Sequence, residues 1–281
     1  MTGPAGAVQQ KGDLRLENVK LSAQHLSKAF ESDKGEKTLV VKDVSMDIGE
    51  KEMVCILGPS GCGKSTYMKI LGGIQDASDG HILLDGTDYG ARLPRSILHK
   101  FGFVFQGDNL LQWRTAEGNL KFMLETMHLK GEKWRKRVDE MLEIVGLSQY
   151  RRVYPHELSG GMKQRVGIAR ALVHDPEVLL LDQPFGALDA ITRRMLTLEM
   201  LRIWKETQKT MVMVTNSVDE ALMLAHRVYV FSPMPATIVH EMTVDIPHEE
   251  RDQDTIATPH FLELRAQLNE MVRSIMPGGE N

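Results

Sequence analysis

Residues 58–66 read Gly-Pro-Ser-Gly-Cys-Gly-Lys-Ser-Thr. A glycine, four residues and then Gly63-Lys64-Ser65 is the spacing of a phosphate-binding loop. Glycines let successive backbone N–H groups turn inward without a Cβ in the way, so Gly58, Gly61 and Gly63 can cradle an anion together with Ser60, Cys62 and Thr66. The apolar run Met53 to Leu57 precedes the loop and reads as a strand. A helix is expected to start at Lys64, and its N-terminus adds partial positive charge at the same place. Lys64 is then positioned for the β- and γ-phosphates of a nucleotide, and the Ser65 hydroxyl for Mg²⁺. A chance glycine-rich turn is the bland alternative. It loses because strand, loop and helix occur in the order the chemistry needs.

Working outward, Val178-Leu-Leu-Leu-Asp182 is an apolar strand that ends in a carboxylate. In an open α/β sheet such an end lies at the carboxyl edge, where ligands bind, so Asp182 is the expected Mg²⁺ holder, through water. Alone, this run could be any buried strand with a polar end. Other short apolar runs read as strands: Leu21 to Leu26, Val40 to Ile48, His81 to Leu84, Phe101 to Phe105, Met211 to Thr215 and Val228 to Ser232. Asp79-Gly80 and Asp85-Gly86 read as turns between them. From about 108 to 172 the period becomes helical, with Leu120, Met123, Leu124 and Met127 on one face and Val138, Met141, Leu142 and Val145 on another. A helix is expected from about Ile191 to Lys205. Strands alternating with helices predict an α/β fold with a mainly parallel sheet. The expected organisation is a flexible N-terminus over 1–17, a nucleotide-binding domain over 18–235 with an inserted α-helical subdomain at about 108–172, and a C-terminal extension over 236–281. That extension carries one amphipathic helix, from about Pro259 to Ile275.

Composition narrows the function classes. The formal net charge of the 281 residues is -4, which gives no basic excess for nucleic acid. No apolar run approaches the roughly 18 residues that cross a bilayer. Met1 to Asp13 lacks the basic-then-apolar layout of a signal peptide, so a membrane role is expected to run through a partner. Cys55 and Cys62 do not resemble a disulfide framework, which fits a reducing cytosol. The 10 histidines show no metal-ligand spacing.

Leu158-Ser-Gly-Gly-Met-Lys-Gln-Arg165 narrows the class further, because it is similar to the signature motif of ABC transporter ATPases. Ser159 can cap a helix whose N-terminus offers free N–H groups. The resemblance implies the P-loop ABC ATPase fold, with an N-terminal antiparallel β part. It also implies ATP and Mg²⁺ as ligands and a second ATPase subunit whose Ser159, Gly160, Gly161 and Gln164 meet the γ-phosphate from the other side. Phe105-Gln106 resembles the family's glutamine loop, so Gln106 is implied near Mg²⁺ and the attacking water. Phe30 sits where the family stacks an aromatic on adenine; an ordinary core aromatic is the alternative. Phe185-Gly-Ala-Leu-Asp189 resembles the loop that reaches the opposite site. Tyr154-Pro-His-Glu-Leu-Ser, Asn109-Leu-Leu-Gln-Trp113, Pro184-Phe-Gly-Ala-Leu-Asp-Ala-Ile-Thr and the tail Phe261-Leu-Glu-Leu-Arg265 look most like nitrate/sulfonate/taurine importers, although Gln112 replaces their usual proline. Transmembrane permease subunits, with a substrate-binding protein further off, are the implied partners at the cytoplasmic face of the membrane. Trp113 lines a permease groove or packs in its own subdomain. A soluble ABC ATPase of DNA repair or translation is a rival, but the coiled coils, twin cassettes and basic patches of that class are missing.

Two residues depart from the family at its chemical centre. Gln183 stands where the family has the glutamate that polarises the water, and an amide cannot take a proton. Asn216 stands where the family has a histidine. Three explanations stay open: a degenerate half-site beside a competent paralogue, an engineered change that traps ATP in a closed dimer, or slow hydrolysis by water positioning or substrate assistance. A non-catalytic ATP-gated clamp is the alternative function.

Overall fold

Met53–Leu57 has no polar side chain on either face, and such a strand is stable only where both faces are covered. The computed structural model describes residues 18–33, 35–107 and 109–275, and it covers them in that way. The expectation of a flexible segment over 1–17 lies outside the described residues, as does the end of the C-terminal extension, 276–281.

The first sheet is antiparallel, in the order β2-β1-β4-β5, from β1 (Val19–Glu31), β2 (Lys37–Gly49), β4 (Asp79–Leu84) and β5 (Thr87–Asp88). The second has six strands in the order β10-β9-β3-β8-β7-β6. These are β3 (Met53–Leu57), β6 (Phe101–Val104), β7 (Val178–Asp182), β8 (Thr210–Val214), β9 (Arg227–Phe231) and β10 (Ile238–Thr243). β6, β7, β8, β3 and β9 run parallel; only β10 is antiparallel to its neighbour.

The two faces of the parallel sheet feed two cores, as the two-residue period of a strand requires. Val54, Ile56, Val178, Leu180, Val212, Val214, Tyr229 and Phe231 face the antiparallel sheet and helix α1 (Lys64–Leu71). Met53, Cys55, Leu57, Leu179, Leu181, Met211, Met213, Val228 and Val230 face the remaining helices. These are α2 (Ala116–Thr126), α3 (Glu132–Ile144), α4 (Gly160–Leu172), α5 (Ala190–Thr207), α6 (Val218–Leu224) and α7 (Pro259–Ser274). α2 and α3 lie between β6 and α4 in the chain and bury the apolar faces read from their periodicity, with Leu120, Leu124, Val138, Met141 and Leu142 inside. Cys55 and Cys62 are free and buried in different cores.

Asp79-Gly80 is not the turn its composition suggests. It opens β4, with Gly80 at φ +97° opposite a register shift between Gln24 and Ser27 of β1. A bulge uses the same glycine chemistry as a turn, and pairing decides between them. Asp85-Gly86 is the tight turn, with φ +50° and +74°, and it joins β4 to the short β5.

The C-terminal extension packs on its own chain. Phe261, Leu264 and Leu268 of α7 are buried in the helix-side core, Phe261 at 0% exposure. Ahead of α7, His248 and Arg251 close the C-terminal end of α6. The His248 Nε2–H donates to Leu224 O at 2.7 Å, and Arg251 donates to Ala225 O at 2.9 Å. These are carbonyls that a helix leaves unpaired at its end. Burial pushes the His248 imidazole down to about 3, helped by the Arg251 charge, while burial also lowers His226, whose ring stacks on it at 3.7 Å.

Two outcomes follow for stability. Phe261→Ala removes a fully buried ring and should cost about 3–5 kcal/mol of unfolding free energy in urea titrations. An unfolded histidine takes its proton near pH 6.5, whereas folded His248 does so only near pH 3. Its contribution is therefore fully present above about pH 6.5 and is lost as pH falls toward 3. The melting temperature of the native chain should drop more steeply across that interval than that of His248→Asn.

Candidate functional site

The carboxyl ends of β3, β7 and β8 build the site. β3 ends at Leu57, and the loop turns back through Gly58–Gly63 into α1. Gly61 has φ +76°, a conformation that favours glycine. Gly63 has φ +120°, and a Cβ there would come within 2.9 Å of Val40 O, so backbone shape and space both demand glycine. Ser60 and Gly61 are exposed at the loop tip, Cys62 is buried, and Ser65 and Thr66 are half-buried in the first turn of α1.

Lys64 is 4% exposed, and its ammonium donates to Gly58 O at 2.6 Å and Pro59 O at 2.8 Å. Burial pulls its pKa below the usual lysine value, against opposing pulls from Cys62 and Asp182. A cation held inside a loop of backbone groups is suited to meet an oligophosphate. The Ser65 Oγ donates to Asp182 Oδ1 at 2.8 Å, bridging from the start of α1 to the end of β7. A hydroxyl and a carboxylate in contact are hard oxygen donors. No group of three or more His, Cys, Asp or Glu side chains able to hold a metal exists among the described residues. A cation between Ser65 and Asp182 must therefore complete its shell with water and nucleotide phosphates, which is how Mg²⁺ is usually held. The residues fit that ion, and bound there it would neutralise charge on the β- and γ-phosphates. Gln106 is exposed just beyond β6, the neighbour of β7. Its carbonyl accepts from Asn109 Nδ2 at 3.0 Å, and its side chain bonds neither Ser65 nor Asp182 among the described residues.

The two unusual residues meet. Gln183 follows Asp182 with φ +47°, and its N–H donates to Val214 O at 3.0 Å, which carries the chain past the end of β8. Asn216 follows β8 by two residues, and its Nδ2 donates to Gln183 Oε1 at 2.9 Å. Thirty-three positions separate the pair, so no local reading of the sequence could find the bond.

The signature residues stand apart from this cluster. The Ser159 Oγ accepts from Met162 N at 3.3 Å and caps α4 as its residue type predicts. A Cβ on Gly160 would lie 3.2 Å from Leu188, and one on Gly161 3.1 Å from Thr192, so these glycines let the start of α4 approach α5 and the segment just before it closely. No hydrogen bond joins Ser159, Gly160 or Gly161 to residues 58–66 among the described residues. Gln164 is 4% exposed and its Nε2 has no partner among the described residues, so it is a buried residue of the helix. The Asp189 carboxylate caps α5, accepting from Ile191 N at 3.1 Å and Thr192 N at 3.0 Å; these N–H donors hold its pKa below the usual carboxylate value. Phe30 lies near the end of β1 with 40% of its surface exposed and Lys28 Nζ 5.3 Å from its ring centre, so it is not a core aromatic. Trp113 is 74% exposed, so its ring does not pack in the interior of the helical segment.

Residues 41–186 match the family model described as ABC transporter. The chain belongs to the ABC transporter family. It is 39% identical over 256 residues to the taurine import ATP-binding protein TauB of Pelagibacter ubique, covering 90% of this chain and 94% of the relative. It is 43% identical over 212 residues to the aliphatic sulfonates import ATP-binding protein SsuB of Bacillus licheniformis, covering 75% of this chain and 80% of the relative. Among solved structures, a dimeric ATP-binding cassette in a post-hydrolysis state, bound to ADP and Pi, matches with TM-score 0.68 and 31% identity, over 81% of this chain and 100% of that one. The P-loop fold of this ABC ATPase chain, with its antiparallel first sheet and largely parallel second sheet, is shared with such cassettes. No helix among the described residues is long and apolar enough to cross a membrane.

The contact between Ser65 and Asp182 gives a direct test. Ser65→Ala removes one hard oxygen donor and a hydrogen bond to a charged group. Affinity for Mg-ATP, measured by calorimetry, should fall about tenfold, while affinity for ATP in excess chelator should stay within about twofold.

Proposed function

We propose that this chain is the ATP-binding and ATP-hydrolysing subunit that energises an ABC importer of a small anion or organic solute of the nitrate, sulfonate or taurine kind. The observation that carries the reading is the convergence of Lys64, Ser65 and Asp182 at one sheet edge. The names of the taurine and sulfonate relatives support the solute class, as do Asn109–Trp113 and the tail at Phe261–Arg265.

In this reading one copy holds ATP and Mg²⁺ on residues 58–66, with Asp182 and Gln106 beside the ion and Phe30 against the adenine. Ser159, Gly160 and Gly161 of a second subunit, with Asp189 and Gln164 behind them, close over the γ-phosphate. The nucleotide then binds the two cassettes together. Separate capped helices at Ser159 and Asp189 support this, since each presents a rigid helix start outside the chain's own phosphate loop. Closure moves the helical segment at about 108–172 and pulls on transmembrane permease subunits gripped near the exposed Trp113 and Phe105. A substrate-binding protein delivers the solute on the far side. The chain works at the cytoplasmic face of the membrane.

Hydrolysis is impaired in this reading, because neither Gln183 nor Asn216 can act as a general base. The alternative is an ATP-gated clamp without turnover, which the same lack of a general base at positions 183 and 216 would allow. Mg-ATP should convert the purified full chain from monomer to dimer in light scattering, and its failure to do so removes the whole reading. Gln183→Glu should raise hydrolysis by about 10²–10⁴-fold if the chain is an ATPase lacking its base. Continued inactivity of that variant, with dimerisation intact, selects the clamp.

A further inference from the structure

Gln183 and Asn216 are the two places where the sequence leaves the family pattern at the chemical centre, and the fold puts them in contact at 2.9 Å. Each is delivered by the end of a neighbouring strand, Gln183 by β7 and Asn216 by β8. Asn216 is exposed and Gln183 only half-buried, so packing alone does not force their bond. The Gln183 backbone is left-handed at φ +47°, a conformation that persists where the surroundings impose it, and the hydrogen bond of its N–H to Val214 O does so. Asp182, one residue earlier, is bonded to Ser65. The amide pair therefore stands next to the cation-binding oxygens.

We infer that the two amides work as one unit that orients the attacking water without accepting its proton. This rests on reading the site as an ATP site. With Asn216 Nδ2 committed to Gln183 Oε1, the pair keeps two acceptors, Asn216 Oδ1 and the second lone pair of Gln183 Oε1. Either acceptor can hold one O–H bond of a water, so that its second O–H points to a γ-phosphate oxygen and its lone pair faces the γ-phosphorus. Neither amide takes a proton near neutral pH. In the resulting step the water oxygen bonds to the γ-phosphorus, and the bond from that phosphorus to the β–γ bridging oxygen breaks. Its electron pair leaves on ADP, and the water proton passes to a γ-phosphate oxygen, giving ADP and inorganic phosphate. The hydrogen bond makes each residue depend on the other. Without Asn216 the Gln183 head loses its fixed rotamer, and without Gln183 the Asn216 amide has no side-chain anchor. A change at 183 made only to stop turnover would need no matched donor at 216.

The experiment uses the full chain and its Asn216→Ala, Gln183→Ala, double-alanine and Asn216→Asp variants. Three quantities are read: single-turnover hydrolysis at saturating Mg-ATP, Mg-ATP affinity and melting temperature. Each single alanine should slow hydrolysis about tenfold with affinity within about twofold, and the double variant should be no slower than the slower single one, because residues acting as a unit are not additive. Asn216→Asp keeps the size and loses the donor, so it should slow hydrolysis as far as alanine does. The inference is overturned if the two losses multiply, if only one position matters, or if melting temperature and affinity fall along with the rate. It is also overturned if the full chain binds Mg-ATP yet hydrolyses none. Absence of Mg-ATP binding in the full chain would instead remove the ATP-site reading, and this inference with it.

Discussion

Four neighbouring parallel strands, β9, β3, β8 and β7, have every residue buried, with the antiparallel sheet and α1 over one face and the larger helices over the other. Such a sheet has no room along its length for a group that needs water or an ion. Polar chemistry can appear only where strands end. At the carboxyl ends the backbone must turn away, and its N–H and C=O groups become free for other work. The glycine loop after β3, Asp182 at the end of β7 with Gln183 after it, and Asn216 after β8 all occupy that edge. The site thus follows from how completely the sheet is covered.

Charge at this edge is kept by pairing. Lys64 is nearly enclosed, which disfavours its charged form, and it is held by carbonyls of its own loop with Asp182 offsetting the burial. Asp182 in turn accepts from Ser65. At the opposite edge of the sheet's first core, Glu52 and Arg227 form a buried pair at 2.6 Å that ties the start of β3 to the start of β9. The pair fixes the register of the strand that presents the loop, and burial without partners would be costly for either charge.

Helix ends carry the same economy to the rest of the site. Ser159, Asp189 and Ser217 each cap a helix, and Ser217, the cap of α6, directly follows Asn216. α6 has Asn216 just ahead of its N-cap and the His248–Arg251 cap on its other end. The C-terminal extension is thereby joined to the residue after β8 through one short rigid element. The sequence pattern of the extension shows an amphipathic helix, but not that a histidine and an arginine upstream of it would close α6.

Residues 53–66 and 178–182 determined the α/β class, the phosphate loop and the helix start at Lys64, because a local spacing of glycines and an unbroken apolar run are physical properties of the chain itself. The periodicity of 116–144 likewise determined two helices and their buried faces. Asp79-Gly80 was legible only as glycine chemistry, since turn and bulge ask for the same residue and the partner strand chooses. Asp189 and Gln164 could be named from a motif; the Asp189 cap is a local contact with Ile191 and Thr192, whereas the burial of Gln164 depends on neighbours brought by folding. The Gln183–Asn216 bond lay wholly outside the sequence's reach. A side-chain hydrogen bond between two strand ends is set by which strands become neighbours, and strand order is decided by the packing of the whole sheet.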